Sequence, residues 1–327
     1  VLKDYLYHVY PLSDDEIDKV NTYSDWLEDQ IVELVGQALK GLIPAKIFTE
    51  NGLTRFQVNR RNNTEAELGA TTTTNGPNDY AVPVLKVTDR KDNIMAVAFG
   101  YACHATVLSA TQWSGDYPGF AQVALEKMYP GATAMFFQGA GANQNPLPRR
   151  SIPLAKKYGK ELAVAVENVL NEEMKPLAST LKTTYAEVNL ELNAPPSNEV
   201  LEKMIKESTG HYQRWAKMMH EKVKNNKVVQ SYPYPIQIWK LGEQMMVALG
   251  GEPVVDYAVK LKTQYGSNLF VLGYSNDVMA YIPSRTVLAE GGYEGATSQI
   301  AFGLPGTWKP TLETKIFKCI NDMMDQF

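Results

Sequence analysis

The sequence predicts an α/β protein with a mixed β-sheet core and flanking helices. Short apolar strands alternate with amphipathic helices along the chain, which is typical of an α/β core. A polar loop follows each of four apolar strands, so strand–loop–helix units would carry polar side chains at the strands' carboxyl ends. The chain has 327 residues, 44% of them hydrophobic, which is sufficient to bury a substantial core.

The first third of the chain predicts a long helix and a hairpin. The stretch "SDDE" at 13–16 has the spacing of a capping box, and apolar residues then recur near period 3.6 as far as residue 42. The stretch "LTRFQVNR" (53–60) alternates like a half-buried strand. "VPVLKVT" and "NIMAVAFG" flank "DRKDN", which indicates a hairpin turn. Between the predicted strand 53–60 and this hairpin, the polar stretch 60–79 is expected to be a surface loop.

The rest of the chain alternates strands and helices. The predicted strands are 94–100, 132–138, 244–250 and 268–275, and the predicted helices are 118–129, 151–171 and 253–263. Residues 196–230 are more polar and predict a helical insertion of one long or two shorter helices. Because no linker rich in Pro, Gly or Ser divides the chain, we expect residues 1–327 to form a single domain.

Composition limits the classes of partner. The net charge is −4 and the basic residues are scattered, so we expect no nucleic-acid partner. No apolar run approaches the roughly 18 to 20 residues of a transmembrane helix. The two cysteines are too few for a disulfide framework. The chain begins with Val1 rather than methionine, from which we expect that an N-terminal segment precedes it.

A histidine and a carboxylate lie in the loop after the strand 94–100. His104 is interpreted either as a metal or catalytic residue or as a structural histidine bonded to a backbone carbonyl. Asp116 precedes Pro118, so a turn or helix N-cap role is the favoured interpretation, and orientation of His104 is the alternative.

Three further strand ends carry candidate residues. The segment "QGAGANQNP" is interpreted as a tight turn or as a cradle for a ligand, but it matches neither the P-loop nor the GxGxxG pattern. Glu252 in "GGEP" is either a site residue or a carboxylate in the first turn of a helix. Tyr281 is interpreted either as a site residue or as a residue that only packs against its neighbours. A nucleophilic Cys103 next to His104 is a further hypothesis, which the opposite directions of neighbouring side chains in an extended chain disfavour.

Five short motifs occur in an order that resembles one known family. They are "NRR" (59–61), "CHATVLSATQWSGDYPGF", "FFQGAGANQNPLPR", "LGGEPVVDYAVKLK" and "GYSNDVMAYIPSRTVLAEGGYEG". Together they resemble the catalytic domain of the neutral/alkaline, non-lysosomal ceramidases over most of residues 20–300. This resemblance implies a zinc amidase in which a metal-activated water cleaves an amide (N-acyl) or related bond.

The resemblance also implies the site residues. Zinc would be held by His104, Glu252 and Tyr281, with one more histidine from an upstream motif that this chain does not contain. A missing N-terminal segment is therefore expected to complete the site. In the working hypothesis built on this resemblance, Asp116 orients His104 and Asn143 contacts the substrate, so that His104, Asp116 and Asn143 are the catalytic candidates. The substrate-binding candidates are Arg60, Gly139, Gly141 and Asn145.

Two departures from the family pattern bear on the substrate. The family's serine-rich loop reads Gly139, Gly141 and Asn143 here, and its C-terminal immunoglobulin-like domain is absent from this sequence. We therefore expect a zinc hydrolase of the superfamily, acting on a small-molecule or lipid-like substrate, rather than a ceramidase proper. The alternatives are a hydrolase of another substrate, such as a sugar derivative, and a non-catalytic binding protein with a degenerate metal site. The resemblance further implies a periplasmic or secreted location.

Overall fold

The computed structural model describes residues 6–68 and 73–327 and confirms the α/β fold class. The strands are β1 (Lys46–Leu53), β2 (Gln57–Asn59), β3 (Ala81–Thr88), β4 (Ile94–Tyr101), β5 (Thr133–Gln138), β6 (Gln144–Pro146), β7 (Lys175–Pro176), β8 (Leu181–Glu191), β9 (Ser231–Leu241), β10 (Gln244–Leu249), β11 (Glu252–Pro253), β12 (Phe270–Leu272) and β13 (Tyr281–Ile282). The helices are α1 (Asp14–Lys40), α2 (Asp116–Met128), α3 (Ile152–Leu170), α4 (Asn198–Glu207), α5 (Gly210–Lys224), α6 (Val255–Tyr265), α7 (Arg285–Glu290), α8 (Ser298–Ala301) and α9 (Leu312–Met324). A π-helical turn, Tyr293–Thr297, lies between α7 and α8.

The two larger sheets are mixed, as the sequence predicts. One has the strand order β5-β4-β3-β1-β7, in which β4 and β5 are parallel and the other neighbours are antiparallel. The other has the order β12-β10-β9-β8, in which β10 is parallel to β12 and antiparallel to β9. Two short pairs complete the pattern: β2 with β6, antiparallel, and β11 with β13, parallel. The predicted hairpin is confirmed as β3 and β4.

The chain separates into two compact units. One comprises residues 45–188, 234–286 and 313–327, and the other comprises residues 1–44, 189–233 and 287–312. In the first unit, α2 and α3 pack together and α3 also contacts β1 and β3. The core there includes Val84, Phe99, Tyr117, Leu125 and Leu162, each no more than 1% exposed. All of the candidate site residues belong to this unit.

The second unit has a smaller core of its own. Leu201 of α4 and Trp215 and Met219 of α5 pack together, so the predicted insertion 196–230 forms two helices. The expectation of a single domain over residues 1–327 stays a prediction. Helix α1 begins at the predicted capping box, where the Ser13 backbone N–H donates to Glu16 Oε2 at 2.8 Å. None of its residues is buried, and Ile31, Leu34 and Leu39 of its apolar stripe are more than half exposed.

One local prediction, the strand 53–60, differs from the structure. The predicted strand 53–60 is interrupted, because β1 ends at Leu53 and Gln57–Asn59 instead pair with β6. All three residues of β2 are buried, so they do not alternate. The polar stretch 60–79 contains no strand or helix in its described part, and residues 69–72 within it lie outside the described residues.

Candidate metal and active site

His104, Glu252 and Tyr281 converge on one point. His104 Nε2 lies 3.9 Å from Glu252 Oε2 and 3.4 Å from the Tyr281 hydroxyl. The side chains of His104 and Glu252 are 11% and 13% exposed, and Tyr281 is 5% exposed. The three groups are therefore largely sheltered from bulk water.

The short strands explain how these residues meet. His104 follows β4, and its backbone N–H donates to Gln144 O at 3.0 Å, beside β6. Glu252 and Tyr281 are register partners in the parallel pair β11–β13, which places their side chains on the same face. Gly251 enters β11 with φ of +61°, where an added Cβ would lie 2.7 Å from Ala280 O. Only glycine fits that approach, so the "GGE" turn of the sequence has a steric basis.

Arg60 joins the cluster from the end of β2. Its Nη2 donates to the Tyr281 hydroxyl at 3.3 Å, and its guanidinium lies 5.7 Å from the centre of the Tyr281 ring. Its Nη1 donates to Asn145 Oδ1 at 3.4 Å, and its backbone N–H donates to Asn143 O at 2.9 Å. The guanidinium cation therefore lies directly beside the phenol oxygen of Tyr281. The structure thus places Arg60 beside a predicted metal ligand.

The contacts of His104 are consistent with both of its interpretations, as a structural histidine and as a metal ligand. Its Nε2 lies 2.8 Å from Ala142 O, which is the backbone bond expected of a structural histidine. The same nitrogen faces Glu252 and Tyr281, which is the arrangement expected of a metal ligand.

Tyr274 completes the cluster and was missed by the sequence analysis. Its hydroxyl donates to Glu252 Oε2 at 3.0 Å and lies 3.2 Å from His104 Nδ1. Burial raises the pKa of the Tyr274 hydroxyl well above its ordinary value, and the neighbouring Glu252 carboxylate raises it further. The available signal was its position at the end of a predicted strand, in "LGYSND". Its positive φ of 55° is visible only in the structure.

The segment 139–146, called the glycine loop below, is a packed scaffold. Every residue in it is buried. A Cβ at Gly139 would lie 2.9 Å from Ala102 Cα, and one at Gly141 would lie 2.3 Å from Ala102 C and O. These glycines allow the loop to lie against the end of β4. The structure gives them this packing role, and their substrate-binding role stays a prediction.

The two asparagines of the glycine loop make structural contacts. Asn143 Oδ1 accepts from the backbone N–H of Val255 at 2.9 Å, in the first turn of α6. Asn143 and Asn145 are 1% and 3% exposed. Asn145 reaches the site through its contact with Arg60. Asn143 thus tethers the loop to α6, and its catalytic role remains a prediction.

Asp116 is not brought into the cluster. Its carboxylate accepts from the backbone N–H groups of Val107 at 3.2 Å, Leu108 at 2.8 Å and Tyr117 at 2.7 Å. It is 6% exposed and has φ of 50°. Within the described residues its hydrogen bonds go to this loop and not to His104, because the carboxylate is occupied by three backbone donors. Orientation of His104 by Asp116 is therefore not what the structure shows, and the turn role favoured from the sequence fits it.

Cys103 is unsuited to a nucleophilic role. It is 0% exposed, and burial raises the pKa of its thiol well above the ordinary value. Since the thiolate is the reactive form, this site is inert.

The donor set fits a zinc ion. In the described parts of the chain no group of three or more His, Cys, Asp or Glu side chains is placed to hold a metal. With the phenol included, His104, Glu252 and Tyr281 supply imidazole, carboxylate and phenolate, and catalytic zinc commonly has three protein ligands. Ligand atoms around a tetrahedral zinc are roughly 3.3–3.6 Å apart. The observed separations of 3.4 and 3.9 Å are close to that range.

Comparison with known proteins supports the fold. No protein-family model and no curated protein matches the sequence. Among solved structures, the neutral ceramidase from Pseudomonas aeruginosa is similar with a TM-score of 0.62 and 18% identity, over 87% of this chain and 52% of that one. A ceramidase complexed with C2 is similar with a TM-score of 0.56 and 15% identity, over 83% of this chain and 51% of that one.

These similarities concern architecture. The chain spans about half the length of each of the two ceramidase structures. No helix in the described part of the chain has the length and apolar character needed to cross a membrane. The chain has a neutral ceramidase-like α/β fold.

Proposed function

We propose that the protein is a zinc-dependent hydrolase that cleaves an amide (N-acyl) or related bond. The observation that supports it most directly is the convergence of His104, Glu252 and Tyr281 within 3.9 Å, next to Arg60, in a sheltered site. The fold shared with neutral ceramidases supports the same class of reaction.

Zinc would be held by His104 Nε2, Glu252 and the Tyr281 phenolate. When bound, zinc supplies Lewis acidity, which polarises a carbonyl oxygen and makes water reactive near neutral pH. The substrate would be a small-molecule or lipid-like N-acyl compound.

The chain's own residues contribute charge and shelter. Arg60 donates a hydrogen bond to the Tyr281 oxygen and places its positive charge over the ring. Asn145 holds the guanidinium in that position. Because the site is largely buried, these electrostatic interactions are stronger than they would be in water. Glu252 is fixed by its strand pairing with Tyr281 and by its backbone N–H, which donates to Ala280 O at 2.8 Å.

The glycine loop favours a substrate other than ceramide within this class. Gly139 and Gly141 offer no hydroxyl where the family has serines, and their packing against Ala102 leaves no room for one. A panel of N-acyl amides that includes N-acyl sugar derivatives would identify the preferred substrate.

The test is the metal content of the purified protein by elemental analysis, together with the same panel before and after chelation. We expect about one zinc per chain, as one three-ligand site predicts. His104→Ala and Glu252→Ala should each remove both zinc and activity. His211→Ala, in α5, is the matched control and should retain both. Zinc and activity that persist in either site variant would end the assignment, and a metal-free, inactive wild type would favour the binding-protein alternative.

A further inference from the structure

We infer that Tyr274 is a positioning residue whose hydroxyl bridges His104 and Glu252 and determines which ring nitrogen of His104 carries the proton, leaving Nε2 as the nitrogen that can bind a metal. The bridge is a property of this chain's own side chains, and its effect on the metal rests on the proposed function. None of the five motifs that carry the family resemblance assigns a role to this tyrosine.

The distances define the bridge. The Tyr274 hydroxyl is 3.0 Å from Glu252 Oε2 and 3.2 Å from His104 Nδ1. The hydroxyl has one proton to donate, and a carboxylate is a stronger acceptor than a neutral ring nitrogen. The proton therefore goes to Glu252, and the hydroxyl oxygen is left to accept a proton from Nδ1. The order of donation is Nδ1–H to the Tyr274 oxygen, and Tyr274 O–H to Oε2.

Each nitrogen of His104 thus has its own acceptor. A proton on Nε2 is accepted by Ala142 O at 2.8 Å, and it occupies the nitrogen that faces Glu252 and Tyr281. A proton on Nδ1 is accepted by Tyr274. With the proton on Nδ1, neutral His104 presents the lone pair of Nε2, which is what a histidine metal ligand must offer. Without the Tyr274 hydroxyl, the Ala142 carbonyl favours the Nε2–H form, which blocks the metal-facing nitrogen.

The backbone holds Tyr274 in an unusual conformation for this purpose. It lies just after β12 with φ of 55°, a region that a bulky aromatic residue rarely adopts. Its backbone N–H donates to Gly251 O at 2.9 Å, next to Glu252. This bond fixes the tyrosine to the same turn that carries the carboxylate. Such conformations persist where the surrounding structure enforces them, and they concentrate at functional sites.

The matched pair of variants is Tyr274→Phe and Tyr158→Phe. Both remove a hydroxyl from a tyrosine, and Tyr158 donates to the backbone carbonyl of Pro148 at 2.7 Å, where none of the cluster residues takes part. A role that is only structural would lower the urea midpoint in both variants and change the site in neither. The discriminating readouts are the protonation of His104 and the affinity for zinc.

Protonation is read from the two-bond ¹⁵N–¹H spectrum of the metal-free protein at about pH 7.5, above the ordinary histidine value. The chain has four histidines, and the signal of His104 is the one that disappears in His104→Ala. We expect a proton on Nδ1 in the wild type and in Tyr158→Phe. In Tyr274→Phe the proton should be on Nε2, with Nδ1 bare.

Zinc affinity is measured by competition with a chromophoric chelator. Loss of a group that orients a metal ligand typically weakens binding about 10–100-fold, which is the change expected for Tyr274→Phe. Tyr158→Phe should bind zinc like the wild type. Unchanged His104 signals and zinc affinity in Tyr274→Phe would overturn the inference.

The remaining outcomes are also decisive. A bare Nδ1 in the wild-type spectrum overturns the inference without any variant, so the test survives if Tyr274→Phe fails to fold. If the wild type takes up no zinc but its His104 proton moves in Tyr274→Phe, the proposed function fails while the bridge stands.

Discussion

Replacement of Gly141 by alanine tests whether the glycine loop holds His104 in place. The added Cβ would lie 2.3 Å from Ala102 C and O and 2.7 Å from Cys103 N, where ordinary contact begins at 3.4 Å. Relief of the contact therefore needs a displacement of about 1 Å, and the obstructing atoms are backbone rather than flexible side chain. His104 follows directly, and it is bonded to this loop through Gln144 O and Ala142 O.

We expect Gly141→Ala to destabilise the protein by about 1–3 kcal/mol, the usual range for overpacking a core, and to weaken zinc binding more than tenfold. Urea unfolding measures the first, and chelator competition measures the second. The control is Gly119→Ala in α2, where nothing lies within 4 Å of the added Cβ. That variant should be neutral or stabilised by up to about 1 kcal/mol, because alanine is the better helix former. Unchanged stability and zinc affinity in Gly141→Ala would refute the claim that the loop is rigid.

Three further predictions follow from the same geometry. Arg60→Met should weaken zinc binding about tenfold or more in chelator competition, because the Tyr281 hydroxyl loses the donor that positions it; an unchanged zinc affinity would contradict this. Asp116→Asn should lower the free energy of unfolding by about 1–3 kcal/mol, through lost bonds to buried backbone N–H groups, and should leave zinc affinity within a few fold. Lost affinity at unchanged stability would restore its role in orienting His104. Iodoacetamide should label Cys319 but not Cys103 in the folded protein, as mass spectrometry of peptides would show, because Cys103 is fully buried; labelling of Cys103 with loss of activity would revive the cysteine mechanism.

Local elements were predictable because their signals lie within a few residues. The Ser13 capping box, the β3–β4 hairpin and the two helices of the insertion all appear where the sequence indicates them. The strand 53–60 was the exception. Its pattern is broken by pairing between β2 and β6, whose residues are about 87 apart in sequence, as in Gln57 with Pro146 and Val58 with Asn145.

Candidate residues were predictable by type and by position at strand ends. His104, Glu252 and Tyr281 do converge, as the resemblance implied, although their metal stays a proposal. Asp116 looked equally suitable in sequence, since it also lies in the loop after β4. The structure distinguishes Asp116 from His104 because three backbone N–H groups donate to the Asp116 carboxylate. No sequence motif indicates that these donors occupy it.

The α/β class, the helix starts, the hairpin and the residue types available for chemistry can be recognised from sequence alone. Periodicity, capping and turn composition act over a few residues, so these features are visible along the chain. Which polar groups share a site depends on the tertiary structure. Arg60 meets Tyr281 across 221 residues, and Tyr274 meets His104 across 170. Contacts of that range depend on strand pairing and on the burial of whole surfaces, and the same packing that brings these side chains together assigns Gly141 and Asp116 to the scaffold.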